Sequence, residues 1–277
     1  MPEIKNSLVS IIITCYNYAD FIADAIDSAL NQTYKNIEIV IVNDASKDKS
    51  SEVIRKYADK YKNIIFFDNT ENKGVVYSRN MAIEASRGKY ILPLDADDII
   101  DKTYVEKAVN ILDTMPEIGI AYCKGRFFGK VNKKWKLPKY NKDEFLFENC
   151  IFATALFRKE DFLKVGKYKD CMKDSTEDWD LWISFIESGL KPYRIEETLF
   201  YYRIHSGVSR NSQLDQYCSK RTLIKNHFET YISSDKFIEK CFSKNKTKKY
   251  KKLFNIFLLI SIFEFLLVLI FLWRLNA

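Results

Sequence analysis

Three carboxylates at the end of an apolar run are the residues of this chain whose types and spacing most suggest chemistry. The run Tyr90–Leu94 is followed by Asp95, Asp97 and Asp98. If the run is a buried strand, Asp95 and Asp97 lie on the same face, because strand side chains alternate. Two such carboxylates repel each other unless a cation joins them, and a hard divalent cation that bridges to a phosphate would do so. The alternative is an acidic loop that caps a helix starting near Asp101.

The elements that must position these acids alternate regularly over the first hundred residues. Short apolar runs predict strands, and runs with helical spacing lie between them, the first after a cap at Asn17 and the third over residues 74–86. The predicted strands are Leu8–Thr14, Ile37–Val42, Ile64–Phe67 and Tyr90–Leu94. This alternation predicts an α/β, Rossmann-like fold with a mostly parallel sheet flanked by helices.

Polar residues follow three of these strands. The clusters are Thr14–Tyr16, Asn43–Asp44 and Asp95–Asp98. Ligands bind parallel sheets at the carboxyl ends of the strands, so the three clusters should converge on one crevice.

Beyond residue 115 the pattern is looser. It predicts strands near Ile118–Cys123 and Thr198–Ile204, a hairpin over Arg126–Lys136 and a helix over Glu177–Ser188. One of the two histidines, His227, falls on a predicted surface helix, where a structural role is expected.

Six motifs in order resemble those of the inverting family-2 glycosyltransferases of the GT-A fold. They are Val9–Asn17, Asn43–Asp48, Asn72–Gly74 with Arg79-Asn80, Asp95–Asp98, Thr176–Trp182 and Tyr202–His205. The resemblance covers about residues 7–210. It implies a nucleotide-sugar-binding half at 1–115 and an acceptor-binding half at 116–230.

The resemblance implies a donor site built from five residues. Thr14 and Tyr16 would line a uracil pocket, and Asp44 would accept a hydrogen bond from the base. Asp95 would contact the nucleotide sugar. Arg79 could face the diphosphate as a positively charged fork. The residues alone also allow plainer roles: Tyr16 as a core aromatic, Asp44 as a cap of the next helix, and Arg79 as a surface arginine.

The resemblance also implies a catalytic pair and a metal site. Asp178 would act as the general base, with Glu177 beside it, and Asp97 and His205 would approach a divalent cation, Mn2+ or Mg2+. Both acids of the pair also suit a helix start, where negative charge is favoured. Such a position offers no evident reason for a raised pKa, so we expect a modest pKa for Asp178. Asp98 is auxiliary on a strict strand alternation.

These features predict metal-dependent, inverting sugar transfer from a nucleotide sugar, with a UDP-sugar as the expected donor, to a glycan or lipid-linked acceptor in cell-surface polysaccharide synthesis. One alternative is a nucleotidyltransferase of similar fold, although Val9–Asn17 lacks the glycine-rich loop expected there. The other alternative is an inactive sugar-nucleotide-binding or membrane scaffold protein.

The carboxyl-terminal residues predict a membrane partner. The formal net charge is +7, and residues 244–252 alone hold six lysines and no acid. Residues 253–273 follow as a hydrophobic helix with one charge, Glu264, long enough to span a bilayer. A basic linker at 231–252 would keep the catalytic domain cytosolic, with the lysines at the membrane surface rather than on nucleic acid. The alternative is a helix lying in the membrane plane.

Overall fold

The computed structural model describes residues 6–172, 176–205 and 213–242. Over the first hundred or so residues, apolar runs form strands and the intervening amphipathic segments form helices, as the sequence predicts. In chain order the elements are β1 (Val9–Cys15), α1 (Ile22–Leu30), β2 (Ile37–Asn43), α2 (Ser50–Lys60), β3 (Ile64–Asp68), α3 (Val75–Ala85), β4 (Tyr90–Asp95), β5 (Ile99–Ile100) and α4 (Tyr104–Thr114).

The parallel register of β1, β2 and β4 brings the three polar clusters together. Thr14 lies opposite Val42 on one side and Asp95 on the other. Cys15, the last residue of β1, lies opposite Asn43. The predicted convergence at the carboxyl ends of these strands is therefore confirmed.

The second half completes a mixed sheet. Its elements are β6 (Ile118–Gly129), β7 (Lys133–Lys134), α5 (Lys142–Phe145), β8 (Leu156–Arg158), α6 (Lys159–Lys164), α7 (Glu177–Glu187), β9 (Lys191–Ile204) and α8 (Gln213–Asn226). The strand order is β3-β2-β1-β4-β8-β6-β9-β5, with β7 paired to β6. β8 lies between β4 and β6 and runs antiparallel to both. β6 and β9 therefore run parallel to β4 and end at the same edge as the polar clusters.

Two helix starts differ from the sequence prediction. Asn17 does not cap α1: it has a positive φ of 61° and its Oδ1 accepts from the backbone N–H of Lys47, so it joins two loops instead. The start of α4 is stabilised by Asp101, whose Oδ1 accepts from the N–H and hydroxyl of Thr103. The acidic cluster before it is therefore not the helix cap that the alternative interpretation required.

A buried histidine fastens α7, the helix that carries the predicted base. His227 is 3% exposed, so its assignment to a surface helix was wrong. Its Nε2 lies 3.1 Å from Asp180 and its Nδ1 lies 2.9 Å from Glu187, both on α7. Burial alone would lower the pKa of His227, but these two hydrogen bonds outweigh it and raise the pKa.

The chain divides after His227. The described part of the second unit holds α9 (Phe228–Ile232) and α10 (Asp235–Phe242), so the described part of the predicted linker, 231–242, is mostly helical. The predicted lysine block at 244–252 and hydrophobic helix at 253–273 lie outside the described residues. Within 6–172, 176–205 and 213–242, none of the helices has the length and apolar character needed to cross a membrane.

We predict that Gly88→Ala destabilises the fold, because Gly88 lets β4 enter the sheet close against β1. A Cβ there would lie 2.3 Å from the Oγ and 2.6 Å from the backbone nitrogen of Ser10. Forcing these apart should cost about 1–3 kcal/mol of the free energy of unfolding, measured by chemical denaturation. Lys62→Ala, at an exposed position, is the control. Equal stability of the two variants would contradict the close approach.

Candidate active site

The acidic motif does not continue the strand that leads into it. β4 ends at Asp95, and the backbone N–H of Asp98 donates to the carbonyl of Asp95 in a turn. Strand alternation therefore does not set the direction of Asp97, which corrects the argument used to place it. The two acids take different partners: Asp95 pairs with Arg79, and Asp97 pairs with His205.

Asp97 and His205 meet although 108 residues separate them. The Nε2 of His205 lies 3.0 Å from Oδ2 of Asp97. Burial and the charge of Asp95 raise the pKa of Asp97, and the histidine partly offsets this. The imidazole also packs against the rings of Tyr18 and Phe21. The two predicted metal ligands are thus adjacent and held in place.

Arg203 organises this edge, and the sequence analysis assigned it no role. Its backbone N–H donates to Oδ1 of Asp98 at 2.8 Å, and its Nε donates to the carbonyl of Asp97 at 2.7 Å. Its guanidinium also pairs with Asp24 and lies over the ring of Phe128. The sequence feature that could have indicated this role is its position two residues before His205, the predicted metal ligand.

Asp98 is 1% exposed, and its auxiliary role stays a prediction. Burial and the charges of Asp97 and Asp95 raise its pKa well above the usual range.

Arg79 joins the acidic motif to the predicted catalytic pair. Its Nη2 lies 2.6 Å from Oδ1 of Asp95, and its Nη1 lies 2.6 Å from Oε1 of Glu177. Its side chain is only 4% exposed, so Arg79 is not the surface arginine of the plainer interpretation. In this arrangement both ends of the guanidinium fork bind carboxylates of the protein. Contact with a diphosphate stays a prediction.

Asp178 has the pKa of a general base poised near neutrality. Burial, and next the charge of Glu177, raises its pKa to about 7. The modest pKa expected from a helix start was therefore wrong: desolvation outweighs the N–H of Trp179, which donates to Oδ1 of Asp178 at 2.7 Å. Thr176, two residues before Asp178, has a φ of 63°, a strained conformation for a β-branched residue.

Asp44 binds the loop before α3 rather than the helix that follows it. Its carboxylate accepts from the backbone N–H groups of Lys73 and Gly74 at 3.0 and 2.8 Å, and from the side chain of Asn69 at 2.9 Å. The cap alternative was wrong, since Asp48 accepts the hydrogen bond from Ser50 at the start of α2. These contacts occupy three of about four acceptor sites on the carboxylate. One acceptor site of the Asp44 carboxylate remains for the N–H of a nucleobase.

The other predicted donor residues lie on the same side. Thr14, partly exposed near the end of β1, lies beside Asp95, and Tyr16 follows in the loop, also partly exposed. Their contact with a nucleotide stays a prediction.

Asp97 and His205 are compatible with a hard divalent cation. Their facing atoms, Nε2 of His205 and Oδ2 of Asp97, are hydrogen-bonded at 3.0 Å, so one imidazole nitrogen and one carboxylate oxygen that would hold the cation are already side by side. Across the described ranges, no group of three or more His, Cys, Asp or Glu side chains is placed to hold a metal. Further ligands would have to come from substrate oxygens and water, as is usual for Mg2+ sites.

We predict that Arg79→Met lowers the free energy of unfolding by about 3 kcal/mol, because it leaves Glu177 and Asp95 without their cation. Chemical denaturation of Arg79→Met, Glu177→Gln and the double variant measures this. The double variant should recover part of the loss, since Gln carries no charge to leave unpaired. Strictly additive losses would show that Arg79 and Glu177 do not interact.

The family model of glycosyl transferase family 2 matches residues 10–171, which is more than half of the chain. A curated relative is 30% identical over 254 residues and spans 85% of this chain and 96% of its own length. It is the Escherichia coli UDP-Glc:alpha-D-GlcNAc-diphosphoundecaprenol beta-1,3-glucosyltransferase WfaP.

Solved structures share the fold at low identity. S. aureus TarS 1-349 in complex with UDP-GlcNAc superposes with a TM-score of 0.70 at 18% identity, over 87% of this chain and 74% of that one. The mannosyltransferase PcManGT of Pyrobaculum calidifontis, in complex with GDP-Man and Mn2+, gives 0.60 at 14% identity, over 92% and 80%. The sheet, the order of the motifs and the family match agree: this chain belongs to glycosyltransferase family 2 and has the GT-A fold.

Proposed function

We propose that the protein transfers a sugar, with inversion, from a nucleotide-sugar donor to a hydroxyl of a glycan or lipid-linked acceptor in cell-surface polysaccharide synthesis, and that the donor is a UDP-sugar. Family membership supports sugar transfer over the nucleotidyltransferase alternative. The names of the relatives support the substrate classes: WfaP uses UDP-Glc and a diphosphoundecaprenol-linked acceptor, and TarS binds UDP-GlcNAc.

The observation that carries the proposal is the bridge made by Arg79. It holds Asp95, the predicted donor contact, and Glu177, the neighbour of the predicted base, on one buried guanidinium. A donor at Asp95 and an acceptor hydroxyl at Asp178 would then share one small site. An inactive scaffold needs neither this proximity nor a carboxylate with a pKa of about 7.

The chemistry follows from the positions of these groups. Asp178, once ionised, takes the proton of the acceptor hydroxyl as its oxygen attacks the anomeric carbon on the side opposite the diphosphate. The bond from the anomeric carbon to the diphosphate oxygen breaks, and the nucleoside diphosphate leaves with the electron pair. A pKa near 7 lets Asp178 be ionised at neutral pH and still accept a proton effectively.

Asp97 and His205 would hold the divalent cation, and the cation would stabilise negative charge on the leaving diphosphate. The Mn2+ bound with GDP-Man in the mannosyltransferase supports this assignment. Arg203 would keep Asp97 in place through the carbonyl of that residue. A lipid-linked acceptor also suits the membrane helix that the sequence predicts at 253–273, with the catalytic domain on the cytosolic side.

We expect Asp178→Asn to reduce kcat by roughly a hundredfold or more, because the amide cannot take the acceptor proton. The readout is nucleotide release from a panel of nucleotide sugars in the presence of Mn2+ and acceptor. UDP affinity should not change. Asp59→Asn, at an exposed position on α2, is the control, and near-normal turnover of Asp178→Asn would refute its role.

The pH dependence gives a second test of Asp178. Its pKa is raised to about 7, and only the ionised form is active, so kcat/KM should rise with pH until about 7 and then level off. In Glu177→Gln the charge that raises this pKa is gone, so the rise should move to lower pH. An unmoved profile would show that another group titrates.

The metal assignment predicts that Asp97→Asn abolishes the gain in UDP affinity that Mn2+ produces, because one charged ligand is lost. Calorimetry of UDP binding with and without Mn2+ measures this, again with Asp59→Asn as the control. Retention of the full Mn2+ effect in Asp97→Asn would place the cation elsewhere.

A further inference from the structure

A basic hairpin stands beside the acidic edge of the sheet. β6 extends to Gly129 and turns into β7, and residues 130–142 contain six exposed lysines and no acid. These are Lys130, Lys133, Lys134, Lys136, Lys139 and Lys142. Within the described residues none of the six forms an ion pair with a carboxylate, whereas Lys124, further back on β6, pairs with Glu196. The hairpin therefore carries uncompensated positive charge.

The hairpin is attached directly to the predicted metal edge. The backbone N–H of Lys130 donates to the carbonyl of Ile204 at 2.9 Å, and Ile204 precedes His205. Gly129 makes this turn with a φ of 86°, and a Cβ there would lie 2.7 Å from the same carbonyl oxygen. β8 and β6 lie on the side of β4 opposite β1 and β2. The lysines are thus across the acidic motif from the predicted nucleotide contacts.

An aromatic platform, formed by Phe127, Trp135 and Tyr202, lies between the lysines and the acids. The ring centroid of Trp135 is 4.8 Å from that of Phe127 and 5.4 Å from that of Tyr202. The indole packs over Gly125, where a Cβ would approach it to 3.1 Å. The Nζ of Lys133 lies 5.7 Å from the ring centroid of Phe127, so the lysines of the hairpin and the aromatic platform form one adjoining surface.

Tyr202 is the exposed member of the platform, Phe127 and Trp135 being partly exposed, and it lies close to the acidic motif. Tyr202 is 38% exposed. Burial, and next the charges of Asp98, Asp95 and Asp97, raises the pKa of Tyr202 to about 12. Aromatic faces bind the apolar faces of sugar rings, and ammonium groups bind phosphate oxygens.

We propose that this surface is the acceptor subsite: the acceptor's sugar stacks on the platform, and a phosphate or diphosphate attached to that sugar binds Lys133, Lys134 and Lys136 of the hairpin. The proposal rests on the proposed function, because it names the acceptor class of the same site. The occupant is the acceptor's own phosphate rather than the lipid headgroups of a membrane, since the lysines adjoin the platform and the metal edge.

The first test is binding of phenoxyundecyl diphosphate to the full-length protein, with UDP and Mn2+ saturating the donor site. Lys133→Gln/Lys134→Gln/Lys136→Gln should weaken its binding tenfold or more, since each lysine near an anionic group contributes roughly fivefold. The matched control is Lys56→Gln/Lys60→Gln/Lys62→Gln, three exposed lysines on and just after α2. Equal loss in both triple variants, or no loss in the first, overturns the proposal.

The second test concerns the platform. The same lipid diphosphate carrying GlcNAc should bind the wild-type protein several-fold more tightly than the sugar-free form, since base or sugar stacking on aromatics adds affinity. Tyr202→Leu should lose this gain, whereas the hairpin triple variant should keep it. If the sugar adds nothing in the wild-type protein, the platform is not a sugar subsite.

A third measurement separates the possible sources of phosphate. Vesicles of phosphatidylglycerol should not displace the diphosphate probe more strongly than vesicles of phosphatidylcholine. If they do, and if the hairpin triple variant abolishes the difference, the lysines bind a membrane surface and the proposal is wrong. UDP titrations of the same samples keep the two hypotheses apart: absence of UDP binding would refute the proposed function, whatever the hairpin does.

Discussion

A single buried cation, Arg79, holds together carboxylates from distant parts of the chain. Without it, Asp95 and Glu177 would bring negative charge to one partly buried place with nothing to balance it, and Asp178 would add a third acid. Breaking such a buried pair is costly because the remaining charges stay desolvated. The guanidinium therefore stabilises the approach of β4 and α7. A ligand that took up the charge of Asp95 would leave Arg79 to Glu177 alone, which would ease ionisation of Asp178.

The first half of the fold was predictable because its signals are local. β1, β2, β3 and β4 begin within one residue of their predicted starts, since each is a short apolar run, and β1, β2 and β4 are buried on both faces. In the second half, β6 and β9 pair with each other over most of their length and extend past their apolar cores into residues such as Lys124 and Arg194. The pairing of β6 with β9, about seventy residues further along the chain, stabilises those extensions. No local sequence pattern predicts this pairing.

The candidate site divides in the same way. The convergence of Thr14, Asp44 and Asp95 followed from strand ends and parallel topology. Three other features could not be predicted: the pairing of Arg79 with Glu177, the position of Arg203 and the raised pKa of Asp178. Each depends on contacts between segments far apart in sequence. Burial of Asp178 in particular depends on tertiary structure. In an isolated peptide the same helix start would be exposed to water, and the pKa of Asp178 would not be raised by burial.

The hairpin after β6 is fastened differently from the rest of the site. Its turn is tied through a backbone amide, Lys130 to Ile204, rather than through the side chains that organise the acids. Backbone contacts of this kind survive replacement of the residues around them. Given the glycine that the turn requires, the exposed lysines of 130–142 could be exchanged between homologous chains without disturbing Arg79 or Asp97. One donor-binding half could then serve many acceptors, with the hairpin as an interchangeable module.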